Sequence, residues 1–174
     1  MSSISFAMFG AAGRMGQRII ALASENPRFQ LTGAVDHPES PMMGRDAGEV
    51  AGIPALGVPI TTSLEPNQGE IIIDFSHFSV LPRIIETAIT HKNSLVCGTT
   101  GLQEKDIAAL REAGTQIPVL FSPNMSVGVN LMFLAARQMA GALDESFDIE
   151  IVEMHHRFKK DAPSGTALRL AEEV

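Results

Sequence analysis

The sequence predicts an α/β protein built on a doubly wound, Rossmann-type parallel sheet, followed by the beginning of an α+β domain. Short, continuous apolar runs alternate with amphipathic stretches along most of the chain, which is typical of parallel strands covered by helices on both faces. A glycine-rich turn joins the first apolar run to the first amphipathic stretch. Right-handed crossovers between such units give a doubly wound fold.

The individual elements follow from the same pattern. The predicted strands are apolar runs bounded by turn residues, namely Ile4–Phe9, Phe29–Val35, Ile71–Phe75, Ser94–Cys97 and Val119–Phe121. The predicted helices lie between them and cover Met15–Ser24, Val80–Thr90 and Thr100–Ala113. The segment His37–Pro59 is rich in Gly, Pro and small residues, which predicts a long and partly irregular connection.

The chain changes character after Asn124, so we predict a dinucleotide-binding domain over 1–125 and the start of a second domain over 126–174. In the second part an apolar helix is predicted at Asn130–Ala142, a strand at Phe147–Val152 and a last helix at Thr166–Val174. That helix carries no C-terminal cap signal, and one strand cannot form a sheet of its own. We therefore expect the second domain to be incomplete.

Composition restricts the class of function. The chain has 174 residues, is 45% hydrophobic and carries a net charge of −7, which argues against nucleic acid as a partner because phosphate neutralisation needs clustered Lys and Arg. The single cysteine, Cys97, favours a reducing compartment and a buried position in a strand. No signal peptide or membrane span is expected, since the N-terminus lacks a basic region and a long apolar run. The expected location is the cytoplasm.

The first turn carries three glycines, Gly10, Gly13 and Gly16, directly between a strand and a helix. Such a turn lets the backbone approach a diphosphate, while the helix N-terminus offers free N–H groups and a partial positive charge. Asp36 ends the second strand, where a carboxylate accepts the hydroxyls of a ribose. The alternative is a glycine turn that only packs a helix on a sheet, with Asp36 as a simple turn residue.

The predicted ligand is therefore NADH or NADPH. Asp36 repels the 2′-phosphate of NADPH and so weakly favours NADH, and the neighbouring His37 relaxes this exclusion modestly. Two further loops follow predicted strands and would border the cofactor, although each alone is more often a helix cap. These loops are Gly98–Gly101 and Ser122–Met125.

Titratable residues are concentrated in the segment from Glu153 to Ala167. His155 can donate a proton near neutral pH, and Lys159 can stabilise developing negative charge. Ser164, Gly165 and Thr166 open a helix whose unpaired N–H groups suit a carboxylate. The alternative, more common for such a segment alone, is a solvated basic loop with a serine cap. No metal site is predicted, because the side chains of adjacent histidines point apart on an extended segment.

Four motifs taken together resemble the 4-hydroxy-tetrahydrodipicolinate reductase (dihydrodipicolinate reductase) family of the diaminopimelate route to lysine. They are GAAGRMG (10–16), CGTTG (97–101), SPNMSVGVN (122–130) and EMHHRFKKDAPSGTA (153–167). The resemblance implies hydride transfer from NADH or NADPH to a small, cyclic, imine-bearing dicarboxylate. It also implies a homotetramer of longer chains, so we expect this chain alone to bind cofactor without appreciable turnover.

The resemblance also implies roles for single residues. His155 is the proton donor, Lys159 is a second donor or charge stabiliser, and His156, Gly165 and Thr166 bind the substrate carboxylates. Asp36 and His37 stand where the family often has Glu and Arg, which leaves the choice of cofactor open. The remaining implied cofactor contacts are Gly10, Ala11, Ala12, Gly13, Arg14, Met15, Gly98, Thr99, Thr100, Ser122, Pro123, Asn124 and Met125.

Two other functions stay open on the sequence. A dehydrogenase of similar build that acts on an amino or semialdehyde substrate would need a different polar set from His155, Lys159 and Gly165-Thr166. A non-catalytic, nucleotide-sensing module would bind NADH but show no dependence on His155 in any assay.

Overall fold

In the computed structural model, which describes residues 3–144, 146–157 and 162–174, the first part of the chain forms a parallel sheet. Its strands are β1 (Ile4–Phe9), β2 (Phe29–Val35), β3 (Ile60–Thr61), β4 (Ile71–Asp74), β5 (Ser94–Cys97) and β6 (Val119–Phe121). Their order across the sheet is β3-β2-β1-β4-β5-β6. Successive strands are therefore added outward from β1 to β3 on one side of the sheet and outward from β4 to β6 on the other. The position between β1 and β4 is the switch point, where doubly wound folds bind ligands. This confirms the predicted Rossmann-type fold.

The helices lie between the strands in sequence. They are α1 (Arg14–Ser24), α2 (Ala47–Val50), α3 (Leu81–His91) and α4 (Glu104–Ala113), with a short 3₁₀ turn at Phe78–Val80 before α3. The second part of the chain contributes α5 (Val127–Ala140) and α6 (Gly165–Glu173). None of the helices in the described ranges combines the length and the hydrophobicity that a membrane crossing requires.

Two apolar clusters fix the sheet between its helices. One contains Ile72, Leu81, Ile84 and Leu95, all about 1% exposed or less, and packs α3 and α4 against the sheet. The other contains Phe6, Met8, Ile20, Ala34 and Ile60 and packs α1 and the α2 region on the remaining strands. Full burial of each large aliphatic side chain contributes about 1.5–3 kcal/mol, so the two clusters hold the strand ends in place.

Several predicted bounds shift by one to four residues, and helix α5 begins at Val127 and not at Asn130. Helix α4 begins at Glu104 and not at Thr100, because Gly101 has a positive φ of 79° and Gln103 and Asp106 form a capping box at the helix start. The connection 37–59 is less irregular than expected, since Asp46 caps the short helix α2 by accepting from the N–H groups of Gly48 and Glu49. Strand β3, only two residues long, was not predicted.

The chain divides into two compact units, Met1–Phe121 and Ser122–Val174. In the second unit α5 and α6 pack together, and the buried carboxylate of Glu173 forms ion pairs with Arg137 of α5 and Arg169 of α6. The predicted strand Phe147–Val152 is wrong, because these residues form neither helix nor strand. Its apolar residues are largely exposed, Val152 at 84%, and a strand needs a hydrogen-bonded neighbour that the described residues do not provide.

Candidate dinucleotide cleft and histidine segment

The glycine turn after β1 has the geometry that the sequence predicts. Gly10 adopts a φ of +78°, which glycine tolerates and side chains rarely do, and a Cβ there would lie 2.7 Å from the Phe75 carbonyl oxygen. A Cβ on Gly16 would lie 2.1 Å from the Gly10 carbonyl oxygen. Both positions therefore require glycine, one for the turn and the other for the close approach of α1 to it.

Much of the backbone of this turn is already paired within the protein. The Gly10 and Ala11 N–H groups donate to the Val35 carbonyl at 2.9 and 3.1 Å, and the Ala12 N–H donates to Asp36 Oδ2 at 2.7 Å. The helical ladder begins with the bond from the Gln17 N–H to the Gly13 carbonyl. The first-turn N–H groups of Arg14, Met15 and Gly16 are therefore the ones directed at an anion.

Among the residues that the structure describes, no side chain caps this end of α1. Gly13 is the N-cap residue and makes no side-chain capping bond, and no acidic residue lies in the first turn. The partial positive charge of the helix therefore faces an uncompensated position. An anion such as a diphosphate fits the donor set.

A cavity of about 290 Å³ opens beside this turn, within the first unit. Its lining joins the glycine turn to the carboxyl ends of the sheet strands and includes Gly10, Gly13, Asp36, His37, Thr62, Ser76, His77 and Arg83. Asp36 accepts from the His37 N–H as well as from Ala12, so its carboxylate is fixed at the cavity edge. The predicted residues Gly10, Gly13, Asp36 and His37 are thus brought together.

Four of these lining residues were missed by sequence reasoning: Thr62, Ser76, His77 and Arg83. Ser76 and His77 follow the end of β4, so the switch-point rule could have located them. Arg83 lies on α3, and its Nη2 donates to the Thr62 carbonyl at 3.2 Å. No local sequence pattern predicts this contact, because Arg83 and Thr62 come together only in the folded protein.

The buried carboxylate of Asp74, at the end of β4, ties two loops together. It accepts from the Ser76 N–H at 2.9 Å and from the Thr99 hydroxyl at 2.8 Å. Thr99 as a whole is only 2% exposed, and its side chain faces into the protein. Gly98 is buried and its N–H donates to the Asp74 carbonyl, whereas Thr100 is exposed.

Cys97 has the structural position predicted for it. The thiol is fully buried at the end of β5, and burial raises its pKa to about 12, with the negative charge of Asp74 adding to the effect. Because the thiolate is the reactive form, Cys97 is unsuited to act as a nucleophile near neutral pH.

In the second unit, the loop before α5 is organised by Asn124. Its carbonyl accepts from the Ser122 hydroxyl at 2.8 Å and from Asn130 Nδ2 at 2.9 Å, and its own Nδ2 donates to Thr166 Oγ1 at 3.4 Å. The structure therefore brings Asn124 next to Thr166, two residues for which the sequence predicts different ligands. Pro123 and Met125 are exposed.

The histidine segment is held by Glu153. Its Oε2 lies 2.8 Å from His155 Nε2, and its Oε1 accepts from the Ser164 N–H at 2.8 Å. Hydrogen bonds from Ser164 and from His155 lower the pKa of Glu153 to about 2. Ser164 caps α6 by accepting from the Ala167 N–H at 3.0 Å, so His155 is linked to the predicted anion site at Gly165 and Thr166. His156 is exposed, and Lys159 lies outside the described residues.

Comparison with known proteins identifies the family. The family profile described as dihydrodipicolinate reductase, N-terminus, matches residues 4–125, and the profile described as dihydrodipicolinate reductase, C-terminus, matches residues 128–174. The chain belongs to the dihydrodipicolinate reductase family. The two matches meet close to the point at which the chain divides into its two compact units.

Individual relatives of the dihydrodipicolinate reductase family agree with this membership. The chain is 46% identical over 173 residues to the 4-hydroxy-tetrahydrodipicolinate reductase of Syntrophotalea carbinolica, covering 98% of this chain and 65% of that protein. It is 46% identical over 170 residues to the enzyme of the same name from Alkalilimnicola ehrlichii, covering 97% and 64%. The chain thus spans about 65% of the length of the curated relatives it matches.

Solved structures place the fold in the same family. The dipicolinate-bound dihydrodipicolinate reductase from Paenisporosarcina sp. TG-14 matches with a TM-score of 0.76 and 27% identity, over 98% of this chain and 65% of that one. A myo-inositol dehydrogenase from Corynebacterium glutamicum matches with a TM-score of 0.52 and 18% identity, over 79% and 42% of the two chains. The second likeness shows the shared fold alone.

Proposed function

We propose that this chain is the dinucleotide-binding domain and the start of the substrate domain of a reductase that converts 4-hydroxy-tetrahydrodipicolinate to tetrahydrodipicolinate with NADH or NADPH. The observation that carries the proposal is the cavity beside the glycine turn, where Asp36 and the uncapped start of α1 share one cleft. Family membership and the names of the relatives select this reaction among those that such a cleft could serve.

The residues of the first unit fit a nicotinamide dinucleotide. The first-turn N–H groups of α1 would bind the diphosphate, and Asp36 would accept hydrogen bonds from the adenosine ribose. The bound cofactor supplies the hydride, and the protein orients it. The contacts proposed for Gly98–Thr100 and Ser122–Met125 stay predictions, and the Thr99 side chain is not counted among them because it donates to Asp74.

The residues of the second unit fit a small dicarboxylate, the class to which the dipicolinate in the Paenisporosarcina sp. TG-14 structure belongs. Gly165 and Thr166 open α6 and would bind one carboxylate through free N–H groups, and we propose His156 as a further carboxylate contact. His155 would donate the proton that the substrate needs as charge develops on it, with Lys159 as a second donor or charge stabiliser. The homotetramer expected for the complete enzyme stays a prediction.

The preference between the two cofactors is set by opposing charges in the cleft. Asp36 disfavours the 2′-phosphate of NADPH, whereas the Arg83 guanidinium, which lines the same cavity, attracts it. We therefore propose that both cofactors bind and that NADH is only weakly favoured.

Replacing Asp36 with asparagine is expected to shift the ratio of the NADH and NADPH dissociation constants toward NADPH by about ten-fold. The substitution removes a charged acceptor for the ribose hydroxyls, worth about 1.5–3 kcal/mol, and removes the repulsion felt by the 2′-phosphate. Titration is followed by enhancement of nucleotide fluorescence, because the chain contains no Trp or Tyr. An unchanged ratio would show that Asp36 does not contact the ribose.

The companion variant Arg83→Gln is expected to weaken NADPH binding about five-fold and to leave NADH binding within two-fold. The loss of about five-fold corresponds to the usual interaction energy of an exposed charge pair. Arg28→Gln is the matched control, since it removes the same charge from an exposed residue that does not line the cavity. Equal losses for both cofactors in R83Q would contradict the assignment.

The reaction itself is tested in a coupled assay with the natural protein that carries this chain. The assay contains pyruvate, aspartate semialdehyde and the synthase of the preceding step, which produces the proposed substrate from them. We expect consumption of NADH or NADPH that depends on the synthase. Saturable NADH binding without any synthase-dependent consumption would overturn the proposed reaction and leave a dinucleotide-binding module.

A further inference from the structure

Glu153 connects the histidine of the second unit to the start of a helix. One carboxylate oxygen, Oε2, lies 2.8 Å from His155 Nε2, and the other, Oε1, accepts from the Ser164 N–H at 2.8 Å. Ser164 is only 5% exposed and is the N-cap residue of α6. The carboxylate therefore joins His155 to Ser164, a residue eleven positions after Glu153 in the sequence.

The contact fixes how the His155 ring presents its two nitrogens. A carboxylate is an acceptor only, so the ring nitrogen that faces it carries the proton. Nε2 is therefore the protonated nitrogen in the neutral ring, and Nδ1 is the nitrogen left for a ligand. Hydrogen bonds from Ser164 and His155 keep the pKa of Glu153 at about 2, so the acceptor stays ionised at neutral pH.

We propose that Glu153 is a positioning residue that orients His155 and joins it to the anion-binding start of α6. The inference rests on the proposed function, in which His155 donates a proton to the substrate. The ring begins the step doubly protonated, the proton on Nδ1 bonds to the substrate, the Nε2–H stays with Glu153, and the ring ends neutral. The carboxylate takes up no proton in this step.

The arrangement has a consequence for ligand binding as well. Thr166 at the start of α6 accepts from Asn124 Nδ2 at 3.4 Å, so Asn124 and Glu153 both bond to residues at this helix start. We expect loss of the Glu153 bond to affect the orientation of a dicarboxylate relative to the His155 ring more than its affinity.

Glu153→Gln tests the inference without substrate or cofactor. In this variant the amide oxygen of the glutamine is expected to accept the hydrogen bond from the Ser164 N–H. The amide NH₂ then faces His155 Nε2 and donates a hydrogen bond to it. We expect the neutral ring to change from the Nε2–H to the Nδ1–H form. Long-range ¹H–¹⁵N spectra of the 174-residue chain at pH 9, where histidine is generally neutral, distinguish the two forms, and His155→Gln assigns the signal.

The matched control is Glu150→Gln, which removes the same charge from an exposed residue of the same segment. It is expected to leave the His155 form unchanged, and the backbone spectrum of each variant checks that the fold persists. A ring that keeps the Nε2–H form in E153Q would overturn the inference. So would a change of the same size in E150Q.

A kinetic measurement separates this inference from the proposed function. In the natural protein that carries this chain, E153Q is expected to lower kcat about 10- to 100-fold, the usual effect of losing a partner that orients a functional group, with the KM for NADH unchanged. An unchanged kcat together with a changed ring form would overturn the positioning role. If His155→Gln itself left kcat unchanged, the assignment of His155 as proton donor would be wrong. The contact between Glu153 and His155 would be unaffected by that result.

Discussion

Replacing Gly16 with alanine is expected to destabilise the first unit by about 1–2 kcal/mol and to abolish NADH binding. The added Cβ would lie 2.1 Å from the Gly10 carbonyl oxygen and 2.9 Å from the Ala11 Cα. Both are backbone atoms that cannot rotate away, and overpacking of this kind costs about 1–3 kcal/mol. Helix propensity alone predicts the opposite sign, because alanine is favoured over glycine in helices by about 1 kcal/mol. Urea unfolding followed by circular dichroism measures the effect.

The same substitution at Gly128 is the control. Gly128 lies in helix α5, and a Cβ there would meet only Ser126 Oγ at 3.9 Å. We expect Gly128→Ala to be neutral or stabilising and to leave NADH binding unchanged. If Gly16→Ala behaved like Gly128→Ala, the close approach of α1 to the glycine turn would not exist as described.

Replacing His155 with glutamine in the natural protein that carries this chain is expected to lower kcat by about 10²–10⁴-fold, the usual contribution of a positioned general acid. Glutamine keeps a polar side chain, but its amide is far too weak an acid to donate a proton to the substrate. The KM for the substrate should change little, because the proposed carboxylate contacts lie elsewhere, at His156, Gly165 and Thr166. Steady-state kinetics with both substrates separates the two constants.

The contrasting variant is His156→Gln. If His156 binds a substrate carboxylate, its loss should raise the KM several-fold and lower kcat less than the loss of His155. A normal kcat in His155→Gln would exclude His155 as the proton donor. Equal effects of both variants on kcat and KM would indicate that the two histidines act only through the shape of the segment.

Much of the first unit could be predicted because its elements are marked locally. Strands β1, β2, β5 and β6 have the predicted bounds, since each is an apolar run that ends at a turn residue or a polar cap. Asp36 lines the cavity beside the glycine turn, and its position at the end of β2 follows from the same local pattern. Strand β3 could not be predicted, because two residues carry no periodicity and pair only after β2 is in place.

The wrong strand at 147–152 has a different physical origin. Alternating apolar residues indicate which side chains a partner could cover, but a strand forms only when a neighbouring strand accepts its hydrogen bonds. Phe147 and Val152 are 57% and 84% exposed here, and among the described residues none pairs with this segment. The local pattern therefore predicts a preference for strand conformation, but it does not show whether a neighbouring strand is present.

The site shows the same division between local and tertiary information. Gly10, Gly13 and Asp36 were predicted from spacing, whereas Arg83 lines the cleft only because the fold places α3 and the glycine turn at one cavity. Glu153 lies in a recognised motif, yet its bond to Ser164 depends on how the chain returns at α6. Sequence patterns thus predict residues of the proposed site that carry local motifs, and the structure adds residues such as Arg83 and Glu153, whose contacts depend on the fold.

The most direct test of the account is a titration of the ¹⁵N-labelled chain with NADH, monitored through backbone amide chemical shifts. We expect saturable shifts that are largest for the amides of Arg14, Met15 and Gly16, with further shifts at Asp36 and His37. The G16A variant should lose all of them. Saturable binding whose shifts spare the start of α1, or no saturable binding at all, would contradict the claim that this helix start binds the diphosphate.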